Sequence, residues 1–116
     1  MVVRPGEDIQ AAIDSLPDEG GCVCLKVGDH EIQAPIRIEK SHVSLHGETL
    51  GARVVRTDGP ELLRIAHPDG LLLEHVTVSG ISFELERKGS QGQVMQAMVA
   101  MDRCRNTSVE RCVLHA

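Results

Sequence analysis

The side chains best placed to do chemistry are Cys22, Cys24, Cys104 and Cys112, the histidines at 42 and 75, and two arginines, Arg37 and Arg64. Cys22 and Cys24 stand two apart in an apolar run, so in a strand they share a face and cannot bridge each other. A zinc site would more often show Cys-x-x-Cys knuckles with His partners nearby. The pattern therefore predicts free, buried thiols, because unpaired Cys is among the most buried residue types. It predicts no metal site and no cofactor.

Arg37 lies between Ile36 and Ile38, and Arg64 between Leu63 and Ile65. If both strands turn their apolar residues inward and stack, the two guanidinium groups face outward in neighbouring layers. Like charges so placed are unfavourable unless an anion or an acid neutralises them. The carboxylate of an acidic polysaccharide could do so through bidentate hydrogen bonds; Glu39 and Glu61 could do so more simply. Arg37 and Arg64 are the candidate ligand-binding residues, and the chain's own glutamates are the simpler explanation of them.

Nothing else assembles into a catalytic pattern. The seventeen acidic residues are scattered, with no pair at equivalent repeat positions of the kind an acid/base couple needs. A calcium loop of alternating Asp is missing, as is a Gly-x-Ser-x-Gly elbow, and no Cys–His spacing suggests a dyad. Gly89-Ser90-Gln91-Gly92 does not run from strand to helix as a phosphate loop does, and it reads as a turn. Catalytic residues are therefore left unassigned.

Composition narrows the class further. With no Trp, no Tyr and Phe83 alone, Val, Ile, Leu, Met and Ala must build nearly the whole core. Such side chains suit narrow stacked layers, and they cannot form the aromatic platforms on which sugar-binding grooves lean. A net charge of -5 argues against nucleic acid, whose binders usually carry a basic face. No apolar run approaches the ~18 residues a membrane span needs. The first residues lack a signal-peptide layout, so with Met1 as the natural start the expected compartment is the cytoplasm.

These residues need elements to hold them. Ile9, Ala12, Ile13 and Leu16 fall on one helical stripe, with Pro5 and Glu7-Asp8 before it and Pro17 and Gly20-Gly21 after it. The spacing predicts an amphipathic helix over 7–16, too short to stand alone and so lying on something apolar. From residue 22 onward the chain reads as short strands at 22–27, 36–38, 43–45, 52–55, 62–65, 71–73, 76–78, 81–85, 99–101 and 109–114, with a turn at Gly28-Asp29.

An internal repeat orders these strands. His42-Val43-Ser44-Leu45-His46-Gly47 recurs as His75-Val76-Thr77-Val78-Ser79-Gly80 and, more loosely, as Asn106-Thr107-Ser108-Val109-Glu110-Arg111. Val43, Val76 and Thr107 form one inward column and Leu45, Val78 and Val109 another, with Ser44, Thr77 and Ser108 outward between them. Ile81 and Phe83 match Cys112 and Leu114. Stacked parallel strands require such columns. His and Asn at the first repeat position are among the few non-glycine residues that accept left-handed backbone, which makes His42 and His75 corner residues before anything else.

Asp8-Ile9-Gln10-Ala11-Ala12-Ile13-Asp14 followed by Gly20-Gly21-Cys22-Val23, together with the tail from Asn106 to Leu114, resembles the β-helices of the pectate lyase superfamily. The resemblance runs over nearly the whole chain. It implies an all-β fold, a right-handed parallel β-helix (a solenoid) of about three to four coils with one N-terminal capping helix. The expected organisation is a single domain over 1–116, with the capping helix at 7–16 and coils over 22–116. The resemblance is almost silent on activity; with no catalytic pattern in these residues, the functional reading is a non-catalytic structural or assembly module, or the cap of a longer carbohydrate-active protein. The alternative is a polysaccharide lyase, hydrolase or epimerase whose active residues lie beyond residue 116. The edge at Val109–Leu114 is expected to self-associate or to meet a missing C-terminal extension.

Overall fold

The computed structural model describes residues 1–56, 61–85 and 99–115. The turn expected at 89–92 lies outside them. After β1 (Val2–Val3) comes α1 (Ile9–Asp14), and everything that follows is strand. The strands are β2 (Gly21–Leu25), β3 (Gly28–Ile32), β4 (Ile36–Ile38), β5 (Val43–Gly47), β6 (Ala52–Arg56), β7 (Leu63–Ile65) and β8 (Leu73–Glu74). They continue with β9 (Thr77–Ser79), β10 (Ser82–Leu85), β11 (Val99–Met101), β12 (Cys104–Arg105), β13 (Ser108–Glu110) and β14 (Val113–His115).

The strands sort into four sheets. Sheet A runs β1-β2-β5-β9-β13, sheet B β3-β6-β10-β14, sheet C β4-β7-β11 and sheet D β8-β12. All recorded pairings are parallel. After β1 the chain visits A, B and C in turn, then A, B, C and D twice in succession, then A and B once more, and each new strand lies beside the previous strand of its own sheet. The fold is therefore all-β and built from parallel sheets around one core.

The repeat dictates the register. Leu45 pairs with Val78 and Val78 with Val109, while Ser44, Thr77 and Ser108 align on the outer face. Phe83 aligns with Leu114, as the repeat predicts. In sheet B the inward column runs His30, Val54, Phe83 and Leu114. His30 is the buried polar residue of this core; its Nε2 lies 2.8 Å from the Lys26 carbonyl, and its Nδ1 has no partner. A carbonyl only accepts, so Nε2 carries the proton. An unpaired buried ring nitrogen costs on the order of 1–3 kcal/mol.

The corner that starts each pass through sheet A is left-handed. His42, His75 and Asn106 have φ of 60°, 56° and 51°. Gly20 occupies the same column in the first pass with φ of 96°. There the backbone approach is so close that a Cβ would lie 2.1 Å from the His42 carbonyl oxygen. Main-chain bonds lock the column: Gly21 N donates to the His42 carbonyl, His42 N to that of Glu74 and His75 N to that of Arg105.

At the N-terminal side, α1 and β1 cover the core. The helix is shorter than the 7–16 expected, because Asp8 is its N-cap and accepts from Ala11 N at 3.1 Å. Glu7 instead accepts from Arg4 N in the preceding turn. Gln10 makes the decisive contact. Its Nε2 donates to the Arg37 carbonyl at 3.0 Å and its Oε1 accepts from Arg37 N at 2.8 Å. One side-chain amide thus satisfies both backbone groups that edge strand β4 turns toward the helix.

Several strand boundaries differ from expectation. β3 covers the position read as a turn at Gly28-Asp29, and its inward His30 hid the alternation. β1 and β12 were also not anticipated. Leu71 and Leu72 are exposed and precede a strand begun by Leu73. The stretch 109–114 divides into β13 and β14 at Arg111, whose φ is 52°.

Ile9, Ile13 and Leu16 are buried against the first pass, with Ile13 only 1% exposed. Ile13→Asp places an unpaired charge there, and the expected loss of at least about 3 kcal/mol is readable by denaturant melting. A midpoint equal to the parent's would mean that α1 does not cover the core.

Candidate functional site

Arg37 and Arg64 do come together. They are register partners on the outer face of β4 and β7, with Ala100 in the next layer. Their neutralisation is unequal. Glu61 accepts from Arg64 Nε at 2.6 Å and from Nη2 at 2.9 Å, a two-pronged contact. This hydrogen bonding, against a smaller opposing effect of burial, holds the Glu61 carboxyl below the usual carboxylate range and raises Arg64. Arg56 adds a bond to the Glu61 carbonyl. Arg64 thus has its partner within three residues, as the glutamate explanation required.

Arg37 has no carboxylate partner among the described residues. It lines a groove of about 500 Å³ between the residues before α1 and the β3–β4 connection. Glu7, Asp8 and Glu31 line the same groove. Three carboxylates against one guanidinium make this a poor harbour for an acidic sugar, since like charges oppose its approach. Stacking therefore brings the two predicted arginines together without making an anion site of them.

The cysteines are free, but they are not buried as expected. Cys22 is exposed, and Cys24, Cys104 and Cys112 are half-buried. The cause is alternation within β2, where Val23 and Leu25 take the inward positions and turn both cysteines to the outer face. Cys104 donates to the Ile65 and Asp102 carbonyls at 3.4 and 3.3 Å. Burial pushes the Cys112 thiol up.

The same outer face of sheet A holds what the sequence reading missed. Cys24 is the register partner of His46. No spacing in the sequence reveals this pair, which only the first-to-second-pass alignment of Gly20 with His42 would have exposed. Among the described residues no hydrogen bond joins the thiol to the imidazole, so the pair is not a formed dyad. At the left-handed corner, His42 and His75 are exposed, with ring centres 5.2 Å apart and planes 19° from parallel. Among the described residues no group of three or more His, Cys, Asp or Glu is arranged to hold a metal, and no helix is long and apolar enough to cross a membrane.

Comparison of the chain with protein-family models, with curated proteins and with solved structures returned no match.

Two expectations follow from this geometry. A thiol reagent applied to the native protein should modify Cys22 first and Cys112 more slowly, because the thiolate is the reactive form. Mass-resolved peptide mapping reads the order, and equal rates at all four would contradict the burial differences. Glu61→Gln should cost no more than about 1 kcal/mol, because Arg64 is largely exposed and its ion pair is screened. A depressed carboxyl stabilises the fold above its unfolded pKa and loses that contribution as pH falls through the folded value. The parent and Glu61→Gln should therefore differ in melting temperature near neutrality and converge as pH falls through and below the usual carboxylate range.

Proposed function

We propose that the chain is the capped beginning of a right-handed parallel β-helix of the pectate lyase kind, and that its role is structural, as an assembly module. One observation carries this reading: each strand pairs in parallel with the strand one pass earlier, in unchanged sheet order. The left-handed column at Gly20, His42, His75 and Asn106 supports it, since a coil must turn at the same place in every layer. The right hand follows from the general rule for parallel crossovers.

The assembly role rests on the contrast between the two sides of the core. On one side α1 and β1 lie over the core, and Gln10 occupies the backbone groups of Arg37. On the other, β11, β12, β13 and β14 are each the last strand of their sheet. Val109 and Cys112 are half-buried there, and Met101, Val113 and Leu114 are exposed, Leu114 by 39%. Bare strand edges over apolar side chains pair with another chain. The partner we infer for these residues is a second copy, at the edge where a longer chain would place its next coil. With α1 over the other side, two copies meet last layer to last layer about a two-fold axis, and the assembly closes instead of growing.

Light scattering across a concentration series tests this directly. The expected result is a dimer that Leu114→Lys converts to monomer, since a charge at that edge opposes apolar contact. A parent that stays monomeric at every concentration, or a variant that dimerises as well as the parent, overturns the assembly role.

A further inference from the structure

The contact between His42 and His75 invites a chemical reading apart from its part in the corner. Both side chains are exposed, so they do not pack a core. Both are imidazoles, the commonest protein ligands for zinc, copper and nickel. Their main chains are held firmly: each backbone N–H donates to the next layer, at 2.9 Å for His42 and 3.1 Å for His75. The two Cα atoms therefore keep one layer's spacing, and only exposed side-chain torsions remain free. The rings are stacked, 5.2 Å between centres and 19° from parallel, so their nitrogen lone pairs run side by side. Rotation of the two exposed side chains turns these lone pairs toward one ion, at metal–nitrogen distances of about 2.0–2.1 Å.

We propose that His42 and His75 form a two-ligand chelating site for a divalent transition-metal ion of the zinc, nickel or copper type. The remaining coordination positions belong to water or to an incoming ligand, because no third protein ligand joins the pair among the described residues. Two ligands at equivalent corners of adjacent layers keep their backbone spacing before the ion arrives, so only side-chain rotation is required. The third layer shows how the site is restricted to two ligands. Asn106 fills the same left-handed position with a side chain that accepts this backbone but is a poor ligand for such ions.

That substitution in the natural column also supplies the test. Asn keeps the left-handed corner, so His42→Asn and His75→Asn remove one imidazole each while leaving the fold in place. The full chain, stripped with a chelator, is titrated with Zn²⁺ or Ni²⁺ by calorimetry, and its histidine ring nitrogens are followed by NMR. One equivalent should bind, with the His42 and His75 rings shifting together. Losing even an outer-shell partner costs 10- to 100-fold in affinity, so losing one of two direct ligands should cost at least about tenfold. The double variant should bind no more tightly than either single one. Unchanged affinity in either variant, a shift confined to one ring, or strongest binding at His30, His46, His67 or His115 overturns the site. The ring shifts are read on the parent protein, so the proposal stays testable even if a variant folds poorly.

Discussion

Each pass through sheet A begins at a backbone position that L-residues rarely adopt. Gly20, His42, His75 and Asn106 all sit there with positive φ, bonded to one another's neighbours through main-chain groups. This corner determines where the next strand starts, and a strand displaced by one residue would turn its whole apolar set to solvent. The register of Leu45, Val78 and Val109, and through it the rest of the core, depends on the turn occurring at the same place in each layer.

Parallel stacking has a consequence for charge. Equivalent positions lie one above another, so repeated charges become neighbours and need opposite partners. On the outer face of sheet B, Arg53 sits beside Asp29 and also pairs with Glu84. In sheet D, Arg105 pairs with its register partner Glu74. In sheet C, Arg64 is satisfied by Glu61, while Arg37 above it is left facing a groove rich in carboxylates. The His42–His75 contact is a further product of the same stacking, two rings placed together at equivalent corners.

The two open sides of the core are treated differently. Gln10 stands in for a strand at β4, and Lys40 bonds the Asp14 carbonyl at the end of α1. A short helix with a single side-chain amide therefore does what another sheet layer would do. Among the described residues the last layer has no such arrangement, and its inward residues grow progressively exposed, from fully buried Ile65 to Met101 in one column and from Phe83 to Leu114 in another. The proposed self-association through one face rests on this asymmetry.

The repeat beginning at His42, His75 and Asn106 was legible from residue types alone, because period-2 alternation and left-handed corners are local properties. It carried the register and the outward Ser44/Thr77/Ser108 column, while apolar alternation carried the meeting of Arg37 with Arg64 and a helical stripe the burial of Ile9, Ile13 and Leu16. The sequence by itself therefore determined the layers and which residues share a column. Other features depended on contacts between passes. β3 was hidden because a polar His30 takes an inward place that only the burial of its neighbours defines. The outward faces of Cys22 and Cys24 were hidden because an uninterrupted apolar run does not say which of its two faces meets the core, whereas Cys104 and Cys112 do pack against it. The pairing of Cys24 with His46, the clamp of Gln10 on Arg37 and the ring contact of His42 with His75 join residues 22 to 33 positions apart. Such distances along the chain become neighbours only when the passes stack, and so the tertiary structure alone decided them.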